Sequence, residues 1–328
     1  MTKTRVLVTG GAGYIGSIAA RTFIEAGHDV TVLDSLERGH AGAVDERATF
    51  VRAAVGDTEA LDRALPETDL VLHFAGYIDV AESQAKPDLY FQKNLEEPSV
   101  MLERMRLHGV RHLVFSSTAA VYGQPDVVPI IEDAPTAPIN AYGASKLAFE
   151  HRIEDVESAG DLCAVRLRYF NVAGAWSDGS LGEAHNPETH IVPRLLDAAA
   201  SGTSFTVFGN DYPTPDGTCV RDYIHVVDLA EAHLAAAEHL IREEKGLACN
   251  VGSGRGYSNL ELVSTCSRVL EKEIDVAVGK RRPGDPAILV ASVDRAREVF
   301  GWTPERDLET MVRDAWRWHS AHQQGYED

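Results

Sequence analysis

A chain of 328 residues, 44% hydrophobic and 25% charged, has the length for two domains or one large α/β unit with a buried core, and excludes a low-complexity or disordered polypeptide. Its formal charge of −19 argues against nucleic acid or an anionic membrane as the main partner, yet permits a phosphate-bearing small molecule held by local arginines and helix ends. No apolar run approaches the ~18 residues of a membrane span. The four cysteines (Cys163, Cys219, Cys249 and Cys266) form no C-x-x-C pair and no His/Cys cluster has metal spacing, so a cytoplasmic protein without structural metal is expected.

Met1 to Arg5 lead into Val6-Leu7-Val8, Thr9 and a glycine cluster, which reads as a first strand and not as a signal peptide. Gly10, Gly11, Gly13 and Gly16 then precede Ile18, Ala19, Ala20, Phe23 and Ile24 at helical spacing. A strand, a tight glycine turn and a helix N-terminus form a pyrophosphate cradle. The first helical N–H groups lack internal partners and point at the anion, and glycine lets the backbone approach it. Asp29 to Asp34 is a second strand ending in an acid, 18 residues past Gly16, near the interval at which a carboxylate meets the adenosine ribose. A carboxylate there favours NAD over NADP, with Arg38 nearby as a small counterweight.

Thr49-Phe50-Val51, running on to Val55, Gly56 and Asp57, predicts a third strand, and Asp69 to Gly76 a fourth whose small terminal residues admit a cofactor. Pro87 to His108 predicts a long helix kinked at Pro98. His112 to Phe115, leading into Ser116-Ser117-Thr118, is a fifth strand, Ala141 to Val156 a helix and Ala164 to Phe170 a sixth strand. This alternation predicts a doubly wound, Rossmann-type parallel sheet with ligands at the carboxyl ends of its strands. Beyond Asn171 the texture becomes turn-rich, and only His225 to Glu243 shows a strong amphipathic stripe. A second, smaller α/β unit is expected from about 172–222 plus 252–328, with the chain returning to the dinucleotide-binding unit (1–171) around 223–251.

Of the ten tyrosines, only Tyr142 has a lysine four residues on, Lys146. Residues i and i+4 share a helix face, so phenol and ammonium project together. A free phenol, of pKa about 10, is a poor base at neutral pH. A neighbouring Lys⁺ and a cationic nicotinamide are expected to lower it, with Thr118 able to bond the same substrate oxygen and relay its proton.

Gly10-x-x-Gly13-Tyr14-Ile15-Gly16, Phe74-Ala75-Gly76, Ser116-Ser117-Thr118, Val121-Tyr122-Gly123, Tyr142-x-x-x-Lys146 and Arg168-Tyr169-Phe170-Asn171 recur together in extended short-chain dehydrogenases/reductases, which this chain resembles. Phe208 to Thr214, Asp216 to Thr218, Arg221 to Val226 and Arg281-Arg282-x-Gly284-Asp285 narrow the resemblance to the UDP-glucose 4-epimerases of that family, along the whole chain. The resemblance implies catalysis by Tyr142, Lys146 and Thr118 with NAD as cofactor. It places Tyr14 and Ile15 at the pyrophosphate, Asp34 at the ribose, and Asp57 and Thr58 near the adenine. Phe74, Ala75, Gly76, Asn94 and Ser116 would lie along the cofactor's path and Phe170 near the nicotinamide. For a UDP-hexose it implies Asn171, Phe208, Arg221, Arg282 and Asp285. His190 stands where the family often has asparagine. Leu289 stands where glucose-restricted members have tyrosine, which implies room for an N-acetylated sugar.

The resemblance further implies a homodimer joined through 87–108 and 141–157. The nearest alternative, a nucleotide-sugar 4,6-dehydratase or decarboxylase, needs an extra acid and base after the Ser-Thr stretch, where this chain has Ala119 and Ala120. An NAD-sensing scaffold without catalysis would have no need of Tyr142, Lys146 and Thr118. An ordinary dehydrogenase would release NADH.

Overall fold

Alternate residues of the first strand, β1 (Arg5–Thr9), leave on opposite faces of one sheet, and both faces are covered. Val6 and Val8 enter one core cluster and Leu7 another, none of them more than 2% exposed. A strand buried on both sides carries a continuous apolar run, as Val6-Leu7-Val8 does. The computed structural model describes residues 3–282 and 285–327.

After β1 come α1 (Tyr14–Glu25), β2 (Asp29–Asp34), β3 (Thr49–Arg52), α2 (Thr58–Ala64), β4 (Leu70–His73), α3 (Val80–Ala85), α4 (Pro87–Phe91), α5 (Glu97–His108), β5 (His112–Thr118), α6 (Ala141–Ser158) and β6 (Cys163–Tyr169). The remainder runs β7 (Asn171–Ala173), α7 (Ile191–Ser201), β8 (Phe205–Phe208), β9 (Val220–His225), α8 (Val226–Glu243), β10 (Leu247–Val251), β11 (Gly256–Ser258), α9 (Asn259–Leu270), β12 (Val276–Gly279), β13 (Ile288–Leu289), α10 (Asp294–Phe300) and α11 (Leu308–Ala321).

The seven-stranded sheet has the order β10-β6-β5-β4-β1-β2-β3, with every neighbouring pair parallel. The doubly wound sheet expected from the alternation is therefore the fold. Strand order reverses at β1/β4, and in such sheets the crevice beyond the carboxyl ends at the reversal takes the ligand. One face packs on Phe23 of α1 and on Leu229, Ala232, Ala236 and Leu240 of α8. The other packs on Leu61 of α2, Met101, Leu102 and Met105 of α5, and Phe149 and Ile153 of α6.

A second core joins α7, α9 and α11 around Leu195, Phe205, Tyr223, Leu262 and Met311. Here β9 pairs with β7, β11 and β13, and β8 pairs with β12. From β9 the chain runs directly into α8, which packs on the large sheet.

Two local expectations are corrected. The third strand ends at Arg52 and does not continue to Asp57, because the backbone turns there (the Asp57 amide donates to the Ala54 carbonyl, 3.0 Å) and the Asp57 carboxylate caps α2 through the Ala60 amide. The 87–108 helix is irregular before Pro98 and not at it. Gln92–Glu96 form a π-helical turn, and Pro98 sits in the first turn of α5. Proline has no N–H to give to a carbonyl one turn back, and a first helical turn tolerates that loss. Widened turns of this kind recur at functional sites, and this one carries Asn94.

Candidate active site

The glycine loop and the end of β4 meet at the reversal. Gly10 has φ +75°, and a Cβ there would lie 2.4 Å from the Ala75 nitrogen; one on Gly16 would lie 2.2 Å from the Gly10 carbonyl oxygen. Gly13 is the N-cap of α1 with no side-chain cap bond and no acid in the first turn, so that helix end presents amide N–H groups and a positive dipole to an anion. Tyr14 anchors the turn by donating its hydroxyl to the Gly174 carbonyl at 2.7 Å, and Ile15 packs on the core beside it. Asp34 is buried at the end of β2 and accepts from the Ala12 amide at 3.0 Å. The Arg38 guanidinium pairs with Glu82 at 3.0 Å and lies over the Tyr77 ring. These residues fit a dinucleotide: the glycines let the turn close on Ala75 and on itself, the N-terminus of α1 offers its amides to a pyrophosphate, and the Asp34 carboxylate stands beside them as an acceptor for ribose hydroxyls.

Phe74 packs against the buried His233, whose imidazole burial brings down to about 4. A Cβ on Gly76 would lie 2.7 Å from Asn94 Oδ1 and 3.5 Å from Lys146 Nζ, so these three residues share one wall. Asn94 accepts from the Tyr77 amide and donates to the Tyr77 carbonyl and the Ser145 hydroxyl, which fixes the π-helical turn against α6. Asp57 and Thr58 lie exposed at the start of α2, away from these contacts.

Asn140 caps α6 by accepting from the Gly143 amide, and Gly143 lets the helix start seat on the 119–122 turn: a Cβ there would be 2.6 Å from the Ala120 carbonyl oxygen. This seating brings the Tyr142 phenol within hydrogen-bonding reach of Thr118. Thr118 also accepts from the Ala120 amide at 3.1 Å. Lys146 is 3% exposed and donates to the Ser116 carbonyl at 3.0 Å, over the Phe115 ring. Burial brings its ammonium down to about 8, with Glu150 one turn on opposing the shift. The expected lowering of the tyrosine by Lys146 is not what the chain itself produces: burial pushes the Tyr142 phenol up, and only the Thr118 bond opposes this. The ammonium is turned to the Ser116 carbonyl instead.

Beneath these residues lies a polar network that sequence reasoning missed. Glu150, fully buried, accepts from Ser117 and from Arg168, whose guanidinium also reaches the Tyr122 hydroxyl at 3.0 Å. Tyr122 donates to Asn250 Oδ1, and the Asn250 amide donates to Glu132.

On the second unit, Arg282 lies over the Phe208 ring at 4.2 Å and Arg221 pairs with Asp285. Gly284 of that motif lies outside the described residues. Asn171 opens β7 and pairs with Tyr223 in register, at the seam between the two cores. Leu289 pairs in register with Arg221 and packs with Ala119, Val121 and Phe170, so the Arg221 strand and the 119–122 turn meet there. His190 is the N-cap residue of α7, and its Nδ1 is held by Glu183. Glu183, His185, Glu188 and His190 converge in space. Sequence reading sought His/Cys spacing and passed over this mixed E-x-H-x-x-E-x-H signal. In the cluster, Glu183 is held down at about 2 by its two imidazoles against its own burial.

A glycine cradle at the sheet reversal, with Tyr-x-x-x-Lys and a strand-end threonine beside it, defines a dinucleotide-dependent enzyme of the short-chain type. Residues 6–252 match the NAD dependent epimerase/dehydratase family. The chain is 48% identical to the UDP-glucose 4-epimerase of Streptomyces lividans over 99% of its length and 98% of the relative's. It is 46% identical to that of Lacticaseibacillus casei over 98% and 99%. A solved UDP-glucose 4-epimerase from Bifidobacterium longum, in complex with NAD+ and UDP, superimposes with a TM-score of 0.93 at 36% identity, covering 98% of this chain and all of the other. The chain belongs to the NAD dependent epimerase/dehydratase family.

Proposed function

We propose that this chain is an NAD-dependent UDP-hexose 4-epimerase that interconverts UDP-glucose and UDP-galactose through a 4-keto sugar. The observation that carries this reading is the placing of Tyr142 beside Thr118 and one helical turn from Lys146, with Thr118 followed by Ala119-Ala120. NAD, when bound, supplies the chemistry of taking a hydride from the sugar's C4 and returning it.

The chain's own residues handle the proton and the positioning. Tyr142 takes the proton of the 4-hydroxyl and later gives it back, and Thr118 bonds the same oxygen. Lys146 holds the nicotinamide ribose, and Asn94, Gly76 and Ser116 complete that wall. Gly10, Gly13, Tyr14, Ile15 and Gly16 hold the pyrophosphate, Asp34 the adenosine ribose, Asp57 and Thr58 the adenine edge, and Phe74, Ala75 and Phe170 line the remaining path. Arg221 and Arg282 bind the UDP diphosphate as planar forks, Phe208 lies against uracil, and Asp285, Asn171 and His190 accept or donate to the nucleotide sugar. Energy spent on UDP lets the hexose remain loosely held and turn between its two faces.

Ala119 and Ala120 transfer no proton, which favours epimerisation over elimination. The reading extends to a homodimer joined through 87–108 and 141–157, to a cytoplasmic location, and to a division of labour in which 1–171 with about 223–251 binds NAD and the rest binds UDP-sugar. Among the described residues no helix is long and apolar enough to cross a membrane.

The test is to purify the protein without added cofactor, measure bound NAD, and follow UDP-galactose to UDP-glucose. A product lacking water or carbon dioxide, or NADH accumulating in step with turnover, would overturn the reading.

A further inference from the structure

Between β7 and α7, the segment Glu183-Ala184-His185-Asn186-Pro187-Glu188-Thr189-His190 has no regular secondary structure, and its four titratable side chains turn inward on one another. The donor atoms of Glu183, His185, Glu188 and His190 all lie within 4.8 Å of each other, the one such grouping of three or more His, Cys, Asp or Glu among the described residues. His185 Nδ1 is 3.1 Å from the Glu183 carboxylate and 3.7 Å from that of Glu188; His190 Nδ1 contacts Glu183 and lies 4.0 Å from Glu188. Four ligands at ~2.1 Å from a tetrahedral ion stand about 3.4 Å apart, so these separations bracket what one small ion requires.

We propose that Glu183, His185, Glu188 and His190 form a closed site for one divalent first-row transition ion of the zinc class, tying this loop to the N-terminus of α7. Two imidazoles with two carboxylates are a donor set for such ions, whereas calcium and magnesium favour all-oxygen cages. Two carboxylates also balance the charge of one divalent cation. With four protein ligands the site has no open position for substrate, which makes the ion structural.

The surroundings supply the outer contacts that orient metal ligands. Glu188 accepts from the backbone amides of Thr189 and His190, both at 2.7 Å. The loop backbone is held from distant parts of the chain. Trp318 Nε1 donates to the Glu183 carbonyl at 3.0 Å, the Tyr326 hydroxyl donates to the Gly182 carbonyl and accepts from the Gly182 amide, and His40 meets the Ala184 carbonyl at 2.9 Å. The Glu183 side chain is 6% exposed, so one of the four donors is already out of water. With His190 Nδ1 on the ion, Nε2 is the ring nitrogen left for the nucleotide sugar.

The untagged full-length protein, with its NAD, is dialysed against Zn²⁺ and then passed over chelating resin, and metal per chain is measured by plasma mass spectrometry. The same sample loaded with Co²⁺ is read by visible absorption. The expected result is one retained zinc per chain and the intense bands of four-coordinate cobalt, with His185→Ala and Glu188→Gln each weakening retention at least tenfold. Retention no greater in the wild type than in these variants, or a pale six-coordinate cobalt spectrum, overturns the site. Should either variant fail to fold, the wild-type stoichiometry and cobalt spectrum decide alone. NAD content measured on the same samples separates failure of this site from failure of the epimerase reading.

Discussion

Lys146 Nζ donates to the carbonyl of Ser116 at 3.0 Å, across the gap between α6 and the end of β5. The bond holds the ammonium at the wall shared with Gly76 and Asn94, where the proposed function puts the nicotinamide ribose. The cost is a cation almost completely withdrawn from water, at 3% exposure.

That cost is measurable. Burial brings Lys146 down from 10.5 to about 8. Below about pH 8 the folded chain must carry the buried charge, so the whole penalty, on the order of 3 kcal/mol, is present; it fades as pH rises through 8 toward 10.5, where the unfolded chain alone keeps the proton. Lys146→Met should therefore abolish turnover yet stabilise the NAD-stripped protein at neutral pH. Its advantage in urea unfolding should shrink between about pH 7 and pH 9.5. An equal or growing advantage over that interval would contradict the assignment.

Tyr142 starts from a phenol that burial has pushed up, and the Thr118 hydrogen bond is the one influence of the chain that pulls it down. Activity should climb with pH through the neutral range as the phenolate fraction grows. Thr118→Val should move that rising limb to higher pH, because the remaining influence disfavours the anion. Tyr142→Phe should lower kcat by about 10²- to 10⁴-fold with NAD content unchanged. A pH profile that Thr118→Val leaves in place would remove Thr118 from the proton path.

The parts of the site that were legible beforehand are those written locally. The Gly10–Gly16 turn, the acid at Asp34 and the Tyr142/Lys146 pair each declare themselves within a few residues of one element. The π-helical turn at 92–96 was hidden, because the signal, Pro98, lies downstream of the distortion it accompanies. The pairing of Glu150 with Arg168 was invisible for another reason: one residue lies on a helix and the other on a strand, and only the packing of α6 on β6 joins them. The nucleotide side was readable through resemblance, since the meeting of Phe208 with Arg282 and of Arg221 with Asp285 depends on how β8 and β9 are placed.

The Glu150–Arg168 pair is the structural counterpart of the catalytic wall. It joins α6, which carries Tyr142 and Lys146, to β6, and Ser117 adds the strand that carries Thr118. Removing one partner of a buried pair leaves an uncompensated charge, which typically costs about 3–5 kcal/mol. Glu150→Ala should lower unfolding stability by that amount, with Glu150→Gln recovering part of it. A loss below about 1 kcal/mol, the range of exposed pairs, would mean that water reaches Arg168.

Leu289 is paired in register with Arg221 and packed with Phe170 and Ala119, and the proposed function puts the sugar's 2-substituent beside it. Leucine fills less space than tyrosine and offers no hydroxyl, so the position leaves room for a bulky substituent on the sugar. An extra methylene-sized contact in such a pocket changes selectivity by about 1–3 kcal/mol, or 10- to 200-fold. Leu289→Tyr should therefore depress kcat/KM for UDP-N-acetylglucosamine within that range while changing UDP-glucose turnover little. The loss should fall on the N-acetylated sugar alone if, as proposed, Arg221 of the neighbouring strand and its partner Asp285 hold the nucleotide. Measuring both sugars on both proteins decides the point. A ratio of activities that the substitution leaves unaltered places the 2-substituent away from Leu289, and an equal loss on both sugars assigns the residue to packing of the Arg221 strand.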